Sequence, residues 1–120
     1  MDASTMLFTA NVLLAITGLG GIVMAAIRFA GADHPPSWLA MVHGLVAGSA
    51  LTLLLYVGFA VGLATMVWVG IGLLLLAALG GVVLNLGYHL KGVPLPKGFV
   101  VGHGVLAIIG FGLIFLGTMR

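Results

Sequence analysis

From Thr5 onward the chain is apolar, with no charged side chain until Arg28, a run long enough to cross a hydrocarbon core of about 30 Å. It stops at Arg28, Gly31 and Asp33, and His34-Pro35-Pro36 follows. Proline lacks an amide hydrogen and forces the residue before it out of the helical region, so no helix continues through this stretch. Between Ser37 and Leu90 no charged residue occurs at all. As one helix at about 1.5 Å per residue that segment would be roughly 80 Å long, so it must reverse, and Gly58 to Thr65 is where the sequence allows it. Lys91-Gly92-Val93-Pro94-Leu95-Pro96-Lys97 makes the last break. The pattern predicts four spans, about 5–30, 38–62, 65–90 and 98–119, in one transmembrane domain covering 1–120.

The spans come in two similar pairs. Shifted by sixty residues, Thr5-Met6 falls on Thr65-Met66 and Gly20-Gly21 on Gly80-Gly81, while Pro36, His43, Gly44 and Ala47 fall on Pro96, His103, Gly104 and Ala107. Thirteen of fifty-six pairs are identical, against about six for a composition this biased. The expected fold is an all-α integral membrane four-helix bundle of two tandem helical-hairpin repeats, about 1–60 and 61–120. Each copy has an even number of spans, so both insert with the same orientation about an axis along the membrane normal. Pro36 and Pro96, and likewise His43 and His103, then lie at equal depths.

Composition agrees with the span pattern. Hydrophobic residues are 62% of the chain, charged residues 5%, and mean hydropathy is +1.37. A water-covered domain needs roughly a quarter of its residues charged, so lipid is the solvent here. The basic residues Arg28, Lys91, Lys97 and Arg120 are isolated, which excludes a nucleic-acid surface. The lack of cysteine excludes disulfides, thiolate metal sites, iron–sulfur clusters and covalent c-type haem. The amino-terminal residues carry no positive signal-peptide region, so the first span is expected to be retained.

Antiparallel spans bring all four histidines to one face, with Trp38 and Tyr88 at that interface and Tyr56 and Trp68 nearer the other. Arg28, Lys91 and Lys97 share the histidine face, while Asp2 and Arg120 lie opposite. The positive-inside bias makes the histidine loops cytoplasmic and places the termini across the membrane, with a bacterial inner membrane as the expected setting.

Imidazole buried in hydrocarbon is costly unless hydrogen-bonded or coordinated, which makes His43 and His103 the candidate site. On a 3.6-residue helix the face below His43 carries Ala47, Ala50 and Leu54, and that below His103 carries Ala107, Gly110 and Ile114. Opposed histidines at one depth with small neighbours suit a haem b ligated by one imidazole from each side. Arg28, Lys91 and Lys97 would then face its propionates. Through His43 on the second span and His103 on the fourth, the chain resembles four-helix membrane b-type cytochromes. That resemblance implies one haem b with His43 and His103 as its metal ligands, and an electron carrier that exchanges electrons with a partner such as quinone. Those cytochromes often carry a second histidine pair near the opposite face, which this chain lacks.

Other readings of the residues stand beside it. The two imidazoles could simply bond backbone carbonyls or water. A bare Cu or Zn ion held by the four histidines and Asp33, a quinone contact and a proton relay are further options. His34 reads as a turn residue and His89 as an interfacial one. Gly44 to Gly48, Gly58 to Gly62 and Gly98 to Gly102 have the small-xxx-small spacing of close helix packing, expected within the bundle rather than at a dimer face. No catalytic acid pair, activated nucleophile or phosphate loop is visible, so an electron-transfer or accessory subunit fits better than an independent enzyme. The main alternative is a cofactor-free accessory subunit of a larger respiratory or photosynthetic complex. A small transporter is a third reading, although it would need coupling carboxylates at mid-membrane. Expected partners are the lipid bilayer and either other membrane subunits or further copies of the chain.

Overall fold

The computed structural model describes residues 1–119, so Arg120, assigned above to the face opposite the histidines, lies outside the described residues. Four helices run along the long axis of a body 43 × 23 × 20 Å: α1 (Ala3–Phe29), α2 (Ser37–Val61), α3 (Thr65–Leu84) and α4 (Lys97–Thr118). Each is long and apolar enough to span a membrane, and together they form an all-helical bundle. Asp2 starts α1 by accepting the Thr5 amide at 2.7 Å. Pro36 and Pro96 start α2 and α4 at positions sixty apart, their carbonyls accepting from Ala40 and Val100. Both sites place proline where a missing amide hydrogen costs nothing. α2 ends at Gly62, whose φ of +83° favours glycine, and residues 62–64 reverse the chain within the interval expected.

Each hairpin packs chiefly on itself, α1 on α2 and α3 on α4, and the α1–α4 and α2–α3 contacts close the ring. The same register is buried in both halves: Ala10, Leu14, Ala50 and Leu54 in one, Gly70, Leu74, Gly110 and Ile114 in the other. At the α3–α4 crossing a Cβ on Gly70 would stand 2.7 Å from the Gly110 carbonyl oxygen, so the helices approach as closely as backbone permits. Large apolar side chains such as Phe8, Leu45, Phe59, Leu79 and Ile108 are exposed around the outside, as lipid-facing positions must be.

Two details differ from the sequence expectation. The third span is α-helical only to Leu84, and Asn85–His89 is a π-helix closed by the Leu90 amide on the Asn85 carbonyl at 2.9 Å. Hydrophobic periodicity does not register one extra residue in a turn. The glycine spacings at Gly44 and Gly48 and at Gly98 and Gly102 do not pack within the bundle, since a Cβ at any of them would meet nothing within 4 Å. His43, Ala50 and Leu54 take the inner face of α2 instead. Of the three spacings only Gly58 is used inside, where it makes room for the Trp68 ring.

Candidate functional site

The site follows from where α2 and α4 begin. His43 and His103 are each the seventh residue of a helix that starts at a proline cap, which sets both about 9 Å below the helix start. Each ring leans on the preceding helix of its own hairpin. A Cβ on Gly21 would lie 3.2 Å from His43 Cε1, and one on Gly81 would lie 3.2 Å from His103 Cε1. Gly21 and Gly81 are thus seats for the imidazoles, where a side chain would crowd the ring, whereas a Cβ on Gly20 or Gly80 would make only ordinary contact.

His43 Nδ1–H donates to the Thr17 carbonyl at 3.0 Å. A carbonyl oxygen only accepts, so Nδ1 carries the proton and Nε2 of the neutral ring keeps its lone pair. In the second half His103 Nδ1 is directed toward the carbonyl of Ala77, sixty residues on from Thr17, but it is buried without closing a hydrogen bond. The two rings come together from diagonal helices, with centroids 6.3 Å apart and planes inclined by 62°. Among the described residues no group of three His, Cys, Asp or Glu could hold a metal ion, so a four-histidine cage with Asp33 is not formed.

The other two histidines make a separate pair. His34 and His89 stack with centroids 4.2 Å apart and planes 24° apart. His34 lies in the bend between α1 and α2 and His89 at the loop end of the third span, and the structure adds the contact between them.

Ala107 packs against the hydrophobic core, and Gly110 lies in the α3–α4 crossing, where a Cβ would meet the Gly70 carbonyl and Leu74. Its small size closes that crossing rather than opening space between α2 and α4. Ala47 is partly buried one turn below His43. Gly44 and Gly104 adjoin the two histidines, and a Cβ on either would meet nothing within 4 Å. Arg28 is engaged with loop carbonyls, Nε to Leu95 at 2.8 Å and Nη1 to Ala32 at 3.2 Å. Lys97 lies 5.6 Å above the Phe29 ring, and Lys91 is exposed. The two described cavities, about 470 and 190 Å³, lie at the opposite end, the larger lined by Ser4, Leu7, Phe8, Thr118 and Met119.

Sequence reasoning found the histidine pair but missed the ring seats and the Thr17 carbonyl. The signal was present in the recurrence of Gly20-Gly21 as Gly80-Gly81 at the histidines' own offset. Comparison with protein-family models, curated proteins and solved structures returns no match for this chain.

Proposed function

We propose that this protein is a membrane electron carrier that holds one haem b between His43 and His103. The observation that carries the reading is the 6.3 Å separation of two imidazoles inside the bundle. With metal–nitrogen bonds of roughly 2.0 Å and about 1 Å from nitrogen to ring centre, two imidazoles holding one metal atom from opposite sides would have centroids roughly 6 Å apart.

The donor set supports haem over a bare ion. Two imidazoles leave most metals short of ligands, whereas a haem would bring most of its iron's ligands and ask only His43 and His103 of the chain. The Thr17 carbonyl fixes the His43 tautomer with Nε2 free, as backbone carbonyls do for metal-binding histidines generally.

When bound, the haem supplies one-electron chemistry, and the chain supplies position and insulation. The glycine seats and the Thr17 carbonyl hold the ring orientations. The apolar helices keep water away, and the exposed Lys91 and Lys97 provide positive charge at the same face. With three basic residues against Asp33, that face is assigned to the cytoplasm. Quinone is the partner class that a carrier embedded in lipid reaches most directly.

Absorbance tests the reading. Protein purified from cells supplied with haem precursor should show an intense Soret band, with sharp α and β bands after dithionite. A colourless protein that co-purifies in fixed ratio with a larger complex would favour the accessory-subunit alternative.

A further inference from the structure

The crossovers 30–36 and 90–96, on the histidine face, are fastened to each other. Leu95 N–H donates to the Asp33 carbonyl at 3.0 Å, and Arg28 Nε donates to the Leu95 carbonyl at 2.8 Å. Pro35 and Leu95 are buried beneath. His34 and His89 stack across the same seam, and His89 Nε2 lies 3.2 Å from Ser37 Oγ at the start of α2.

The repeat shows that His89 is placed there by a departure from the common plan. Its counterpart sixty residues earlier is Phe29, which ends a regular α-helix and is 49% exposed, whereas His89 ends the π-helix and is 6% exposed. An added residue in the turn rotates the side chains beyond it by about 100° around the helix axis. The π-helix is therefore what brings a titratable ring under the lid in one half only.

We propose that the stacked His34 and His89 rings are an acid-sensitive latch, holding the two crossovers closed over the His43–His103 end of the bundle. The stack tolerates one protonated ring, because a cation over a neutral imidazole is attracted to its face. Two protonated rings 4.2 Å apart repel, and part of that charge is shielded from water. His34 Nδ1–H already donates to the Pro35 carbonyl at 2.9 Å, so a second proton goes to Nε2, where no acceptor is fixed.

The surrounding charges do not offset this. Arg28 ends α1 just before the first crossover, which carries Asp33; Lys91 lies in the second crossover, Lys97 opens α4 just after it, and the Tyr88 phenol precedes His89. Among the described residues no carboxylate forms an ion pair with either ring, and three cations face one anion. The open loops relieve the repulsion between two protonated rings, so closure weakens as acid adds the second proton. This holds whether or not the deeper pair carries haem.

Hydrogen exchange of the purified full chain in detergent, corrected for intrinsic rates, tests the latch at about pH 8 and about pH 5. Protection of the Leu95 amide should fall at least about tenfold at the lower pH, while the amides of α2 stay protected. His34→Phe keeps a stacking face without the second charge and should hold Leu95 protection within about twofold across the same range. Asp33→Asn should respond to pH as the wild type does. Unchanged wild-type protection overturns the proposal, and that comparison decides alone if a variant does not fold. Loss of protection in His34→Phe equal to wild type, or abolition of the response in Asp33→Asn, overturns it too.

Discussion

Gly81 and His103 touch so closely that a Cβ on the glycine would lie 3.2 Å from His103 Cε1, and Gly21 and His43 repeat the contact at the same 3.2 Å. The imidazole position is thus set by an absent side chain on the neighbouring helix. Alanine at Gly21 or Gly81 asks the ring to yield by a few tenths of an ångström while gaining up to about 1 kcal/mol of helix propensity. Gly81→Ala should keep stability within about 1 kcal/mol of wild type but perturb the haem spectrum. Gly81→Val, with two further carbons against the ring, should lose the chromophore while far-UV circular dichroism stays helical. A normal spectrum in Gly81→Val would mean that the ring is not seated on this glycine.

The backbone crossing of α3 and α4 predicts a contrast between two glycines. A Cβ on Gly70 meets backbone at 2.7 Å, whereas one on Gly48 meets nothing within 4 Å. Gly70→Ala should destabilise by about 1–3 kcal/mol through overpacking, and Gly48→Ala should be neutral or stabilising by up to about 1 kcal/mol. Unfolding in mixed micelles of increasing SDS content measures both. Equal effects would contradict the packing described.

One polar contact ties the first helix to the last. Asn11, 4% exposed, donates from Nδ2 to Thr118 Oγ1 at 2.8 Å and to the Leu7 carbonyl at 2.9 Å, while its Oδ1 is buried without a partner. Thr118→Val removes an acceptor and should cost about 0.6–1.7 kcal/mol, the range for polar contacts between membrane helices. Asn11→Leu also removes the unsatisfied oxygen and should cost less than Thr118→Val. The same micelle titration ranks the two.

At the other end of α1, Asp2 accepts the Thr5 amide, and that hydrogen bond holds its carboxyl below the usual carboxylate range. A depressed carboxylate stabilises the helix start at pH values above its unfolded pKa. That contribution is lost as pH falls through the depressed value. The Thr5 amide resonance should therefore titrate at a pH below that of a free aspartate, and Asp2→Asn should remove the titration.

Spans and histidines were legible because lipid imposes length and apolarity on every helix, and because prolines at positions 36 and 96 mark two helix starts. The inner faces were legible too: Ala50, Leu54, Gly110 and Ile114 are buried at the positions that helical spacing below each histidine indicates. What small size is for was not. Gly110 closes a helix crossing, Gly44 and Gly48 face outward, and Gly20-Gly21 accommodate an imidazole, three uses that look alike in a chain with 20 glycines. The His34–His89 stack depends on a π-helix and on two loops meeting, neither of which leaves a periodic trace. Arg28 looked available to a bound anion, but backbone carbonyls of the crossovers engage it.

The most direct test of the central claim is the ratio of haem b to protein, measured by pyridine haemochrome on purified wild type, His43→Ala and His103→Ala. The bis-imidazole account predicts a ratio near one in the wild type, with either substitution removing the low-spin spectrum. Full haem content and an unchanged spectrum in either variant, or wild-type protein that stays free of haem when precursor is supplied, would contradict it.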